Sequence, residues 1–436
     1  MAHALVHSLR PVLLGALVLG TGCSGGAASP APSSSAASAG GVSGGPGLAT
    51  SDCSVPQAPR APLRRLTHFE YNSTVRDLLG DTTSPAKAFP GEQLSNGFGN
   101  DADAQPVSTL LAEQYIAAAE AIAARATAPA LIGNLAPCVA GIGAAADATT
   151  ERGCAQAIVQ RFAVRAYRRP LASGEAEELL ALYDLTRTTS TFASSVAAVL
   201  EAVLQSSDFL YRPELGVPEP GRTDLMRPTG DEMASRLSYL LWGTMPDDGL
   251  RAAAAAGQLA TKEGVLATAI RMLDDARSRP VIRFFFDKLL PIAGLSTLTR
   301  EPTLFPGFSS AIGALMREET QTFLEHQIFR GPGSWPSVFT ADYSFVNGPL
   351  ADFYGIPGVT GDAFQQVPLD TSKRLGLLTQ AGIVAGTVDA NRTNPVVRGN
   401  SPCRGSRSWV TSVSRTPKPL RRGASWPFTL QAAVSS

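Results

Sequence analysis

From Thr67 onward apolar residues return every three or four positions, and nowhere does apolar–polar alternation run long enough to build a sheet. That period belongs to amphipathic helices, so packed helices are the only core this pattern can make. Thr67-His68-Phe69-Glu70 has the form of a capping box. Behind it Tyr71, Val75, Leu78 and Leu79 form one stripe, which Gly80 ends. Leu111, Tyr115, Ala119 and Ile122 share a second face, and Ile158, Phe162 and Ala166 a third that stops near Pro170. Ser173 is expected to cap a Glu-rich helix through Leu179, Leu180 and Leu182. Phe192, Val196, Val199, Leu200 and Val203 make the clearest stripe, and Pro218, Pro220 and Gly221 mark a boundary. A second capping box, Thr229-Gly230-Asp231-Glu232, opens a helix expected to bury Met233, Leu237, Leu240 and Leu241. Further helices are expected around Leu266–Ile270–Leu273, Val281–Leu290 and Ile312–Ile328. The fold class read from this is all-α: helical bundles with long ordered loops and at most a small hairpin.

The N-terminus limits where such a chain can reside. His7 and Arg10 close a weakly basic region, and Pro11 to Leu19 form a short apolar one. About nine apolar residues cannot span a hydrocarbon layer of about 30 Å, so residues 1–22 read as a cleaved signal. Gly20, Thr21 and Gly22 before Cys23 resemble a lipobox, with Gly20 where Leu is usual, so Cys23 is the expected site of lipidation. Residues 23–62 are rich in Ala, Ser, Gly and Pro and cannot bury enough apolar surface to order themselves. A disordered spacer of this kind would hold a domain away from the membrane.

Lys and Arg total 37, as do Asp and Glu, so no net field draws in nucleic acid. In an oxidising compartment Cys138 and Cys154 are expected to pair, while Cys53 and Cys403 show no evident partner. No Cys-x-x-Cys or Cys-x-x-Cys-His occurs, which leaves no zinc ribbon and no covalent haem site.

Several local motifs are similar to a group of multi-domain secreted proteins of the planctomycete and myxobacterium type. Leu63-Arg64-Arg65-Leu66-Thr67 through Asn72, with Thr74 to Gly80, resembles the DUF1587 module, and Asn96-Gly97-Phe98, Asn100 and Ala102-Asp103 resemble its following loop. Arg165 to Leu171 resembles DUF1595. Arg236 to Trp242, Pro246-Asp247-Asp248, Asp342-Tyr343, Asn347, Leu350 and Tyr354-Gly355-Ile356 resemble the central domain of unknown function 1592. Arg374 to Thr379, Thr393 to Val396 and Arg398-Gly399 resemble the start of DUF1588.

The expected division is therefore 63–127, 152–212, 223–358 and 371–400, followed by an atypical basic tail at 401–436. Resemblance implies export and a helical modular build, with no established activity. Relatives continue into a further module that often carries a Cys-x-x-Cys-His-like segment. Here residues 401–436 hold six Lys or Arg and no acidic residue, the composition of a GC-rich gene read out of frame. A frameshift near codon 400 is the expectation, with a genuine basic, disordered tail as its alternative.

Few residues offer chemistry. Asn100, Asp101 and Asp103 cluster oxygen ligands of the kind calcium takes, without the spacing of an EF-hand, and Asn and Asp are equally turn residues. No other cofactor is evident. Glu319 falls on an apolar stripe with Met316 and Phe323, where burial would raise its pKa or an Arg from a neighbouring helix would pair with it. His326 lies two turns on, about 10 Å away, too far to share one ion with Glu319. Asp247 and Asp248 read as a helix cap, and Arg165, Arg168 and Arg169 as structural arginines. The function expected is that of a lipid-anchored protein at the outer membrane, cell surface or periplasm that binds envelope polymer or another envelope protein without catalysis. A redox role using the missing terminal Cys/His segment is the alternative, and a metal-assisted hydrolase the weaker one.

Overall fold

The computed structural model describes residues 61–388 apart from 96, 144–145 and 223. The signal segment, Cys23, Cys53, the spacer up to residue 60, Asn96, residues 389–400, Cys403 and the tail lie outside the described residues. The chain is mostly helical. In order come β1 (Arg64–Arg65), α1 (His68–Leu79), α2 (Thr109–Ala126), α3 (Ala148–Tyr167), α4 (Glu175–Arg187), α5 (Phe192–Gln205), α6 (Ser207–Leu210) and β2 (Tyr211–Arg212). A hairpin follows, β3 (Val217–Pro218) and β4 (Met226–Arg227), then α7 (Gly230–Leu241), α8 (Asp248–Ala255), α9 (Lys262–Asp274) and α10 (Ser278–Leu289). The last elements are α11 (Ser310–Phe329), α12 (Trp335–Thr340), β5 (Tyr343–Val346), α13 (Gly348–Tyr354), β6 (Gln365–Pro368) and α14 (Ala381–Gly386). Three antiparallel two-stranded ladders pair β1 with β2, β3 with β4 and β5 with β6, where the sequence suggested one hairpin at most.

Both capping boxes form. Thr67 and Thr229 accept from the backbone of Glu70 and Glu232, whose carboxylates reach back to the threonine N–H at 2.8 and 2.7 Å. Each glutamate also holds the chain that follows α6. Glu70 lies 3.4 Å from Arg212, and Glu232 accepts the N–H groups of Leu215 and Gly216 at 2.7 and 3.0 Å. Ser173 does not cap α4. Gly174, in the left-handed region, takes that position without a side-chain bond, and three glutamates in the first turn complement the helix dipole instead.

Three cores result. The first joins α1 to α6 around Tyr71, Ile122, Ile158, Leu200 and Phe209, and Tyr239 of α7 reaches into it. Here α5 packs on both α2 and α4, and each fully buried Val or Leu on it contributes about 1.5–3 kcal/mol. The second, smaller core collects Leu237, Trp242, Leu250, Leu259, Val265 and Met272 from α7 to α9 and the turn between the last two. One residue differs from expectation, since Leu240 is exposed; the helix expected around Leu266–Ile270–Leu273 forms as α9, which buries Val265, Thr268, Ala269 and Met272 while Leu266 and Ile270 face solvent. The third core packs α10, α11, α13 and α14 against the β5–β6 ladder.

Stacked phenylalanines tie the first core to the third, Phe69 on Phe284 and Phe98 on Phe285, with centroids 4.5 and 5.6 Å apart. Gly97, at φ 90°, makes the second contact possible, because a Cβ there would lie 3.1 Å from the Lys288 carbonyl. No helix among the described residues is long and apolar enough to cross a membrane.

Candidate functional site

The most unusual ionisable group is Glu319, midway along α11. Its neighbours Glu318 and Glu325 face α10, where Arg283 pairs with both at 2.7 and 2.9 Å. Glu319 points the other way and is 1% exposed. Among the described residues it forms no ion pair, so the arginine partner expected from a neighbouring helix serves Glu318 and Glu325 instead. Its oxygens accept from Ser344 Oγ of β5 at 2.6 Å and Tyr354 Oη of α13 at 2.7 Å. Burial pushes its pKa up; the two hydrogen bonds and the charge of Arg374 offset part of that shift. Arg374 lies over the Tyr354 ring at 4.2 Å, and Gln380 Nε2 approaches Ser344 Oγ at 3.5 Å while its own Oε1 stays unpartnered and buried.

The carboxyl thus joins four separate chain segments at one point. Gly376 lets the last of them come this close, because a Cβ there would lie 2.3 Å from the Phe339 carbonyl and φ is 59°. Ser344, Arg374 and Gln380 were not legible as partners of Glu319. Tyr354 and Arg374 sit in recognisable motifs, but nothing in their spacing says that they converge.

His326 occupies the same helix without sharing this centre. Its Nδ1 lies 3.1 Å from Tyr343 Oη, which accepts from Gln327 at 2.8 Å, and its ring packs on Tyr343 and Phe345. Desolvation, with a smaller contribution from Arg330, lowers its pKa. Asp101 caps a short 3-10 turn and accepts the N–H of Asp103 at 3.1 Å, while Asn100 and Asp103 are exposed. The loop that carries them docks against α10 through Gly97 and Phe98. Among the described residues no three His, Cys, Asp or Glu side chains gather as a metal would require.

Cys138 and Cys154 form a disulfide that ties the Pro137–Gly141 turn to α3, with Cα atoms 5.6 Å apart. Asp247 caps α8 by accepting from Leu250 and pairs with Arg277, which lies 3.5 Å above the Trp242 ring. Asp248 meets Arg165 at 3.7 Å and Arg251 at 2.8 Å. Arg169 pairs with Glu175 and Asp208. Arg168 is 3% exposed and donates to the carbonyls of Asp208, Phe209 and Tyr211 and to Tyr239 Oη, which also bonds Thr74.

A cavity of about 350 Å³ opens between the β3–β4 hairpin and the first turns of α7 and α9. Its walls are Val217, Pro228, Met233, Leu259 and Val265, with Arg227 and Lys262 at the edge. The hairpin beside it exposes Leu215, Val217 and Met226. Sequence reasoning missed this feature, for it is built from a two-residue ladder and the turns that flank it.

Models of three protein families match the chain. Residues 64–128 match a protein of unknown function (DUF1587), 154–214 one described as DUF1595, and 229–356 one described as DUF1592. No curated protein and no solved structure matches it. The chain thus carries a DUF1592 domain preceded by companion DUF1587 and DUF1595 modules.

Proposed function

We propose that the protein is exported, lipid-anchored through Cys23 on its spacer, and works at the cell envelope by binding a partner rather than by catalysis. The observation that carries the binding reading is the β3–β4 hairpin, which exposes Leu215 at 78%, Met226 at 52% and Val217 at 40% beside a cavity. Grouped apolar side chains left in water mark interaction sites, and here they fit another envelope protein. The Cys138–Cys154 disulfide supports export, since such bonds persist in oxidising compartments. Asp247, Asp248, Arg168 and Arg169 are committed to caps, carbonyls and ion pairs, which also favours binding over chemistry. Residues 371–400 read as the start of a DUF1588-like module that lays Arg374 and Gln380 against the Glu319 centre.

The test places a photo-crosslinking amino acid at Met226 in native cells, with Leu185 on α4 as an exposed control. Intact masses are then taken from the membrane fraction. A diacylated or triacylated Cys23 and a discrete adduct from position 226 alone are expected. An unacylated chain overturns the anchor, and equal crosslinking from both positions overturns the hairpin as the contact.

A further inference from the structure

The cavity beside the hairpin has a chemistry of its own. Leu259 and Val265 are buried at its floor, and Met233 and Val217 line its sides. No carboxylate lines it, whereas two cations do. Lys262 is exposed and forms no ion pair among the described residues. Arg227 meets Glu219 only at 3.6 Å, with nearly half of its side chain in water. The hydroxyls of Thr229 and Thr261 are engaged as caps, accepting from Glu232 and Gly264 at 3.2 and 3.1 Å. The groups left to meet a ligand are therefore an apolar floor, two positive charges and the O–H donors of the two threonines. A volume of about 350 Å³ is at the low end of pockets that hold small molecules, and suits a chain end rather than a whole lipid.

We propose that this cavity binds the end of an amphipathic anion, an alkyl or acyl chain carrying a carboxylate or phosphate. The apolar chain would lie on Met233, Leu259 and Val265, and the anionic head would meet Arg227 and Lys262. The proposal rests on the reading of this face as a binding site and adds a small ligand beside the protein contact. It is independent of the lipid anchor.

Calorimetric titration tests it on the full chain carrying Cys23→Ser, purified without detergent, using decanoate, decyl phosphate and the neutral decyl glucoside. Saturable one-to-one binding of decanoate or decyl phosphate is expected, with decyl glucoside at least tenfold weaker. The stronger of the two anions identifies the head group. The double variant Arg227→Glu, Lys262→Glu should weaken the anion at least tenfold at an unchanged thermal midpoint. Met233→Trp, which fills the cavity, should abolish binding of every probe. Equal binding of the neutral probe overturns the anion assignment. No saturable binding, or binding that both variants leave intact, overturns the site, and neither result bears on the acylation that intact mass reads or on crosslinking at position 226.

Discussion

Glu319 exchanges water for two hydroxyl donors on folding, and these donors and the charge of Arg374 only partly offset the desolvation of its charged form. Its folded pKa therefore lies above the unfolded one. The stability it contributes is complete below the unfolded value near 4.5 and is lost as pH rises through the raised folded value. Glu319→Gln keeps an acceptor in place and carries no charge to desolvate. The variant should gain on the wild type as pH rises from 4 to 8, read as the difference in thermal midpoints; parallel profiles would show that Glu319 is not titrating in that window. Glu319→Ala leaves Ser344 and Tyr354 without their acceptor and opens a void, and should cost about 2–4 kcal/mol by denaturant unfolding. His326 acts in the opposite direction. Its lowered pKa means that its contribution is present above the unfolded value near 6.5 and is lost as pH falls through the folded one. His326→Gln should flatten the acid side of the stability profile.

At the scale of single elements, the features fixed by local chemistry were readable. Thr67 and Thr229 cap as their spacing to Glu70 and Glu232 requires, and each Thr→Ala change should cost about 1 kcal/mol in chemical denaturation. The α5 stripe was readable because its residues are apolar on one face only. On α9 both faces carry aliphatic residues, so period alone could not decide between Val265 with Met272 and Leu266 with Ile270. The β1–β2 and β3–β4 ladders are two residues per strand, shorter than any alternation can reveal, and their partners come from distant or turn-bounded sequence. The Glu319 centre was half legible: burial follows from the stripe, but its partners depend on tertiary approach at Gly376. The Cys138–Cys154 bond closes a loop of 16 residues, so reductant should destabilise the first core by about 3 kcal/mol.

On the scale of the whole molecule, the three cores are coupled by a few defined contacts. Tyr239 belongs to the chain of the second core by sequence, yet it lies in the first, bridging Thr74 and Arg168. Tyr239→Phe removes only the bridging hydroxyl and should cost about 1 kcal/mol. If the cores unfold as a unit, that loss lowers a single calorimetric transition. A second, earlier transition in the variant would show that the bridge had been holding the cores together.

The pairing of Arg64 with Arg212 also has a consequence in time. About 150 residues of chain separate the two strands, and sequence separation of that order makes a contact slow to form because the intervening loop must close first. The N-terminal helices also need α5 to cover them. A nascent chain therefore cannot finish its first core until Tyr239 has left the ribosome, and until then its opening half is an incompletely folded polypeptide, a form in which it can still be threaded or be cut.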